Sequence, residues 1–234
     1  MTFYSAQING IHMLRTYRMA LAQMHCVQPP EPKSNTVDLP GADGSLDLSE
    51  VPVGYPVYQN REITMQFGTG RAKDEWPKFY SEIQKQFHGK IVKVIFDDDE
   101  NYYYTGRAAV SDYERSRTLG TLTITVDAEP YKYEHDDGTG DWLWDPFSFV
   151  DGIIREYSDI VISGTGNITV IGGDKHSIPE IIASTPMTLT CEGKSFDLAA
   201  GHTKLYELPL GEGEHILKFT GSGTVSVRYR GGIL

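Results

Sequence analysis

Glycine residues divide most of this chain into short runs of alternating apolar and polar residues, and this pattern restricts the fold more than any other feature. In the run REITMQF (61–67), Ile63, Met65 and Phe67 fall on one face of an extended strand, and the polar residues between them fall on the other. The run TLTITV (121–126) alternates in the same way. Runs of this length bounded by glycine, proline or aspartate are typical of strands, so the sequence predicts an all-β fold.

A hairpin is predicted near the middle of the chain. The run KIVKVIF (90–96) is apolar on nearly both faces, which indicates a central strand. The acidic residues 97–100 follow it, and the run YYYTGRAAV (102–110) then returns as a second strand. The four acidic residues would form the tip of this hairpin.

One segment has the period of a helix. Within residues 73–90, a single apolar stripe is formed by Trp76, Phe79, Tyr80, Ile83 and Phe87. This spacing predicts one amphipathic helix that packs on a sheet. The segment 11–26 has helical residue types but a poor stripe, so we expect a strand there.

The second half of the chain predicts a β-sandwich. Six short runs, among them NITVI, MTLTC and HILKFT, are separated by glycine or proline and have no helical pattern between them. The turn-rich, acidic stretch 134–149 is the expected domain junction, between an N-terminal domain (1–133) and a C-terminal β-sandwich (150–234). The net charge supports this division, because residues 1–133 carry −3 and residues 134–234 carry −8.

The charge and the hydropathy exclude several classes of partner. A net charge of −11 repels phosphate backbones and anionic lipids, so we expect neither nucleic acid nor a membrane as the partner. No apolar run approaches the roughly 20 residues of a membrane span. The N-terminus lacks the pattern of a signal peptide, so synthesis in the cytoplasm is expected. Cys26 and Cys191 are expected to be buried free thiols.

The stretch DLPGADGSLDLSE (38–50) does not have the spacing of a cation-binding loop. Counted from Asp43, the glycine and glutamate positions of a helix–loop–helix calcium site are occupied by Leu48 and Gly54. The simpler interpretation is a turn at Pro40–Gly41 and Asp43–Gly44 that leads into a strand, with Leu46 and Leu48 facing inward.

Other patterns of reactive residues also favour architecture over chemistry. The acidic run 97–100 would hold Mg²⁺ or form a catalytic pair only if its carboxylates converged, and adjacent side chains on a strand point to opposite faces. The favoured interpretation is a solvated hairpin tip. The seven histidines show no metal-ligand spacing, and no nucleophile motif or nucleotide fingerprint occurs. We therefore expect no catalytic residue, metal or cofactor.

Two tryptophans near the predicted junction have two interpretations. Trp142 and Trp144, together with Tyr157, would stack on sugar rings if they were exposed. They would instead pack the junction between the two domains if they were buried, and aromatic clusters are more often found in cores and interfaces. The second interpretation is favoured.

The order of segments resembles the distal tail proteins of siphophages, the long-tailed phages, particularly those that infect Gram-positive bacteria. The resemblance covers most of residues 35–133 and the C-terminus. It rests on VDLPGADGSLDLSE, YQNREITMQF, the helix that ends in FHGK, IVKVIFDDDENYYYTGRAAV, TLTITVDAEPYKY and the final TVSVRYRGGIL. One departure is Ala42, where the family often has a basic residue.

The resemblance implies a structural protein and no enzyme. Family members form a hexameric ring at the tail tip, in which β-barrel-like N-terminal domains build the ring and galectin-like C-terminal sandwiches lie outside it. The ring links the tail tube and the tape-measure protein to the tail-associated lysin or fibre, and in some phages it holds a receptor-binding protein. The chain would therefore be made in the host cytoplasm and reside in the virion tail tip.

The resemblance and the sequence together indicate which residues would contact other subunits or neighbouring tail proteins. A ring closed by rotation needs two different patches on each subunit. We expect these patches at two segments, which comprise Pro40, Gly41, Asp43 and Gly44 in the first and Asp97, Asp98, Asp99, Tyr102, Tyr103 and Tyr104 in the second. The alternative function is a carbohydrate-binding module that attaches the particle to host cell-wall glycans through Trp142, Trp144 and Tyr157.

Overall fold

The computed structural model describes residues 4–23, 26–69, 75–115, 120–134 and 157–234. The chain divides into two compact units, of which the first comprises Met1–Glu100 and Tyr104–Pro130 and the second comprises Asn101–Tyr103 and Tyr131–Leu234. Both units are built mainly from strands, which confirms the predicted all-β fold with an amphipathic helix. The predicted junction (134–149) lies, apart from Glu134, outside the described residues.

The described strands up to residue 128 are short at the N-terminus and long around the core. They are β1 (Ala6–Ile8), β2 (Ile11–His12), β3 (Met19–Leu21), β4 (Cys26–Val27), β5 (Thr36–Asp38), β6 (Ser45–Asp47), β7 (Arg61–Thr69), β8 (Ile91–Phe96), β9 (Tyr102–Arg115) and β10 (Gly120–Ala128). The two described helices are α1 (Met13–Tyr17) and α2 (Trp76–Phe87).

The main sheet of the first unit has the order β2-β1-β8-β9-β10-β7-β3, and β4 also pairs with β7. The ladder between β10 and β7 is antiparallel and runs from Gly120↔Thr69 to Ala128↔Arg61. Alternation along β7 buries Ile63, Met65 and Phe67 completely, as the sequence predicts. The hairpin of β8 and β9 is also confirmed.

The helix α2 covers the core of the first unit with its apolar stripe. Trp76, Phe79, Ile83 and Phe87 are buried, and Ile83 and Phe87 have no exposed surface. Each large side chain buried in this way contributes about 1.5–3 kcal/mol of transfer free energy. Pro77 lies in the first turn, where its missing N–H costs no helical hydrogen bond. The predicted helix is therefore confirmed.

The segment 11–26 is not the strand that the sequence predicts. It contains the short helix α1 between β2 and β3, with β4 beginning at its end. His12 caps α1 by accepting a hydrogen bond from the backbone N–H of Arg15, at 3.5 Å from its Nδ1. Met13 and Tyr17 are buried four residues apart on one helix face. The strand prediction is wrong for residues 13–17, because a five-residue helix is too short to produce a visible stripe, and it holds for β2 and β3.

The second unit contains the remaining strands. They are β11 (Lys132–Glu134), β12 (Ile160–Gly172), β13 (Glu180–Ala183), β14 (Met187–Cys191), β15 (Lys194–Leu198), β16 (Gly201–Lys204), β17 (Gly213–Arg228) and β18 (Gly232–Ile233). Their main sheet has the order β15-β14-β17-β13-β16, and β12 pairs with β17. The strand β11 pairs with β18 and with Tyr102 and Tyr103, the first two residues of β9.

The second unit is organised around the long antiparallel pair of β12 and β17, which are separated in the chain by β13 to β16. Its thirteen residue pairs run without a shift from Ile160↔Val225 to Gly172↔Gly213. Alternate residues of both strands enter a core that includes Ile168, Val170, Leu217 and Phe219. Cys191 is a buried free thiol, as predicted. Burial, and then the neighbouring carboxylate of Glu192, raise the pKa of this thiol.

Candidate functional site

The segment 28–60, here called the arm, leaves the sheet after β4 and returns to it at β7. Its two sides are joined near the base by the bridge between Pro32 and Tyr58, and by the hydrogen bond from the Lys33 N–H to the Val57 carbonyl (2.8 Å). Farther out, β5 and β6 form a two-stranded antiparallel sheet in which Val37 pairs with Leu46. The arm is therefore a β-hairpin that extends from the sheet between β4 and β7.

The outer part of the arm is held by its own polar residues. The Ser45 hydroxyl donates to Asp38 Oδ1 at 2.7 Å, and the Asn35 N–H donates to Ser49 Oγ at 2.8 Å. The hydroxyl and the N–H of Ser49 both donate to Asp47 Oδ1, and these bonds lower the pKa of Asp47. The predicted turn is confirmed, with Gly41 and Gly44 at positive φ between the two strands.

The arm buries none of its residues in its own chain. Every residue from 31 to 47 is exposed, and no residue from 28 to 60 is buried. The prediction that Leu46 faces inward is wrong, because its side chain is 48% exposed, and Leu48 is only half-buried. A two-stranded hairpin has no second layer that could cover either of its faces. Five large apolar side chains are exposed along the arm: Val37, Leu39, Leu46, Val51 and Val53.

The acidic tip of the β8–β9 hairpin is partly used within the chain. Asp97 accepts a hydrogen bond from the Ser5 N–H at 2.9 Å, and its other oxygen lies 3.3 Å from Nε2 of His12. These contacts tie the tip to the beginning of β1 and to β2. Asp98 and Glu100 are exposed, whereas Asp97 and Asp99 are half-buried. Asp98 and Glu100 are therefore the carboxylates of the tip most accessible to another molecule.

The three tyrosines that follow the tip are buried in their own chain, each less than 9% exposed. The ammonium group of Lys132 lies over the ring of Tyr102, with Nζ 4.3 Å from the ring centroid. The rings of Tyr103 and Tyr133 lie 5.7 Å apart. Tyr104 packs edge-on against Phe96 with 6.0 Å between the ring centroids. The structure therefore places these three rings in the interior of the chain, whereas the sequence predicts them at a contact surface.

Arg61 is a buried residue that the sequence interpretation missed. It is 6% exposed at the start of β7, and its guanidinium carbon lies 5.8 Å from the centre of the Tyr104 ring. Its Nε has no hydrogen-bond partner in the part of the chain that the structure describes. The sequence contains a signal for this burial. Arg61 lies two residues before Ile63 and four before Met65, so it falls on the same inward face of β7.

The aromatic residues of the carbohydrate hypothesis are only partly described. Trp142 and Trp144 lie outside the described residues. Tyr157 is half-buried, and its ring stacks on that of Tyr229 with 6.1 Å between the centroids. One face of Tyr157 is therefore already covered by a side chain of the second unit.

Metal-binding clusters and membrane-spanning helices are two further features by which a site can be recognised. Across the described ranges, no three His, Cys, Asp or Glu side chains are placed to hold a metal ion. In the same ranges, no helix has the length and apolar character needed to cross a membrane. The arm and the acidic tip are the candidate site, because both expose side chains at the surface.

Comparisons with known proteins identify a structural neighbour but no relative by sequence. The sequence matches no family model and no curated protein. The fold is similar to the crystal structure of SPP1 Dit (gp 19.1), described as a paradigm of the hub adsorption apparatus in phages that infect Gram-positive bacteria. The superposition covers 100% of both chains with a TM-score of 0.58 and 11% sequence identity. At that identity the comparison shows a Dit-like fold.

Proposed function

We propose that this chain is a structural component of a bacteriophage tail tip, a distal tail protein whose copies close into a six-subunit hub. The hub would join the tail tube and the tape-measure protein to the adhesion parts of the baseplate, including a lysin or fibre protein and a receptor-binding protein. Its work is assembly, with binding free energy spread over many contacts and no bond made or broken. The proposal rests on the Dit-like fold and on the arm.

The arm is the observation that carries the proposal. It is a 33-residue ordered hairpin, yet none of its residues is buried in its own chain. An exposed hairpin with apolar side chains tends to pair or aggregate unless another surface covers it. The exposure of Val51 reaches 73%, and that of Leu39 and Leu46 is 48% each. Contact with a neighbouring subunit would bury these side chains.

A ring also needs a second surface on each subunit, different from the first. In a head-to-tail ring, a patch on one copy contacts another patch on the next copy, and rotation closes the assembly. The acidic tip with Asp98 and Glu100 belongs to another hairpin of the same unit and is exposed. We place the arm and the acidic tip on the contact surfaces between subunits or with neighbouring tail proteins.

The test is the mass of the native assembly. Native mass spectrometry and negative-stain imaging of the purified full chain are expected to show six copies in a ring. Leu46→Asp with Val51→Asp would place two charges on the contact surface and convert the ring into monomers. Because both side chains are exposed in the single chain, the melting temperature of the monomer should remain unchanged.

The control is Tyr206→Asp, which replaces a 74% exposed apolar side chain of the second unit with the same charge. This variant should still form the ring. A wild-type chain that stays monomeric at all protein concentrations would overturn the proposal. A ring that survives the arm substitutions would instead remove the arm from the interface.

A further inference from the structure

The strand β12 has one edge that no described strand covers. It pairs with β17 along its whole length, and β17 pairs on its other side with β13 and β14. No other described strand pairs with β12. In an antiparallel ladder, every second residue directs its backbone N–H and C=O away from the partner strand.

Contacts at both ends of β12 identify which residues point away from β17. The N–H and the C=O of Ile171 bond to the hydroxyl of Tyr229, at 3.2 and 2.6 Å, so they do not face β17. At the other end, Val161 is opposite Thr224, whose N–H and C=O bond to Ser184 on the far side of β17. The odd-numbered residues therefore direct their backbone groups outward.

Five residues make up this outward edge: Val161, Ser163, Thr165, Asn167 and Thr169. Each of them has an exposed side chain, and Val161 is 75% exposed. Their backbone groups bond to no residue of the described ranges outside the strand ladder. Gly164, at positive φ, lies between Ser163 and Thr165, and the register with β17 continues through it unchanged.

The edge lacks the features that protect other sheet edges. Exposed edge strands in natural proteins carry lysine, other charges or proline, which prevent pairing with a second chain. The thirteen residues of β12, IVISGTGNITVIG, contain no charged residue and no proline. By contrast, the outer strands β15 and β16 carry lysine, aspartate or histidine. The composition of β12 is thus typical of a strand that is paired with another strand at both of its edges.

Charges at the two ends of β12 decide what can pair with it. Asp159 precedes the strand, and Glu214, opposite Ile171, lies at its other end with Glu212 next to it; all three are exposed. Glu214 lies on β17, one strand behind the open edge. If a second copy paired antiparallel about a two-fold axis, Asp159 of one copy and Glu214 of the other would therefore be two strands apart at both ends. Long-range repulsion between these like charges weakens such a pair at low salt, whereas lysine or arginine at the ends of an added strand attracts the carboxylates.

We propose that the β12 edge binds an extended segment of a partner protein by strand addition. The segment has an uncharged, β-branched centre and a basic residue near each end. Backbone hydrogen bonds to the five outward residues provide the affinity, and the carboxylates at the ends set the position of the segment. This site lies in the second unit and does not depend on the assignment of the chain as a hub.

The probe is a synthetic nine-residue peptide of alternating threonine and valine with a lysine at each end and blocked termini. Its binding to the full chain is measured by fluorescence anisotropy, and hydrogen exchange locates it. Binding should protect the amides of Val161, Ser163, Thr165, Asn167 and Thr169. A peptide with glutamate at both ends should bind about tenfold more weakly at low salt, and the difference should shrink as salt is added.

Two further comparisons separate strand addition from nonspecific adhesion. The same peptide with N-methyl groups on alternate amides cannot form one row of backbone hydrogen bonds, and it should lose about tenfold or more in affinity. This comparison needs no change to the protein. Asp159→Lys with Glu214→Lys should reverse the preference, so that the glutamate-ended peptide binds better. The control Asp197→Lys, on the outer strand β15, should leave the preference unchanged.

The peptide experiments can either support or overturn the proposed site. Protection of the five amides together with the reversed preference supports the site. Equal binding of the N-methylated peptide, or protection elsewhere, overturns it. Reversible dimers of the chain that protect the same five amides would also overturn it, because they would show that a second copy occupies the edge.

Discussion

Gly120 has no side chain at a position where the ring of Trp76 fills the space. A Cβ atom built on Gly120 would lie 1.1 Å from Cη2 of Trp76, which is far inside any van der Waals contact. Trp76 opens α2 and is 3% exposed, so the ring cannot move into solvent without uncovering the core. This single contact fixes how closely the helix approaches the sheet.

We expect Gly120→Ala to lower the free energy of unfolding by about 1–3 kcal/mol, because the inserted methyl group overpacks the core. Urea unfolding measured by tryptophan fluorescence checks this. The control is Gly68→Ala on the neighbouring strand β7, where the new Cβ would meet Ala22 at an ordinary 3.7 Å. That variant should be neutral or slightly more stable. Equal losses in both variants would contradict the argument.

His176 should make the stability of the second unit depend on pH. Burial, and then the nearby His215, lower the pKa of His176. The unfolded chain, in which the histidine pKa is about 6.5, then binds more protons than the folded chain below that pH. The stabilising effect is present above the unfolded pKa and is lost as the pH falls below it.

The expected result is a melting temperature that decreases between about pH 7 and pH 5, with a smaller decrease in His176→Gln. Thermal unfolding at several pH values, followed by circular dichroism, provides the measurement. His202→Gln is the control, because it removes a histidine whose side chain is 60% exposed. A slope that His176→Gln leaves unchanged would assign the pH dependence to other groups.

At the scale of elements, the arm and α2 differ in what they contribute to the fold. The helix supplies four buried side chains to the core, whereas no residue of the arm is buried. Burial of apolar surface is the main source of stability, so the arm adds little to the free energy of unfolding of its own chain. We therefore expect the chain to fold without the arm.

We expect a chain in which residues 33–57 are replaced by Asn-Gly to fold with a nearly unchanged melting temperature. Pro32 and Tyr58 face each other in an isolated bridge, and Asn-Gly suits a two-residue hairpin turn between them. If the chain forms the proposed ring, the same deletion should abolish it in native mass spectrometry. Unfolding of the shortened chain would show that the arm has a role in the core.

The sequence predicted the elements whose pattern is local and missed the features that depend on distant pairing. The stripe from Trp76 to Phe87 and the alternation in β7 need only their own residues to be recognised. The exposure of Leu46 depends on the absence of a second layer over β5 and β6, which no local pattern reveals. The burial of Tyr102 and Tyr103 depends on Lys132 and Tyr133, about thirty residues farther along the chain.

For the candidate site, the sequence located the two segments but not which of their residues are accessible. The turn at Gly41 and Gly44 and the acidic tip are where the pattern placed them. The contacts of Asp97 with Ser5 and His12 could not be predicted, because those residues lie more than eighty positions away in the sequence. The outward edge of β12 was likewise hidden, since the alternation of a strand does not show which of its edges is paired.

At the scale of the whole molecule, each unit has a hydrophobic core of its own. Ile124 belongs to the core of the first unit and Leu217 to that of the second, and each is 0% exposed. We expect Ile124→Ala and Leu217→Ala each to cost about 2–5 kcal/mol. In calorimetry, each substitution should lower the melting temperature of one transition and leave the other in place. A single transition lowered by both would show that the two units unfold together.

The strand β9 gives its first two residues to the second unit and the rest to the first. A hybrid with a related chain that exchanged everything after residue 130 would carry β11 and β18 but leave Tyr102 and Tyr103 behind. The incoming Tyr133 would then face a pair of residues that had been selected beside another strand. Successful hybrids should therefore be those whose parents agree at positions 102 and 103, so this short stretch restricts which C-terminal units the first unit can accept.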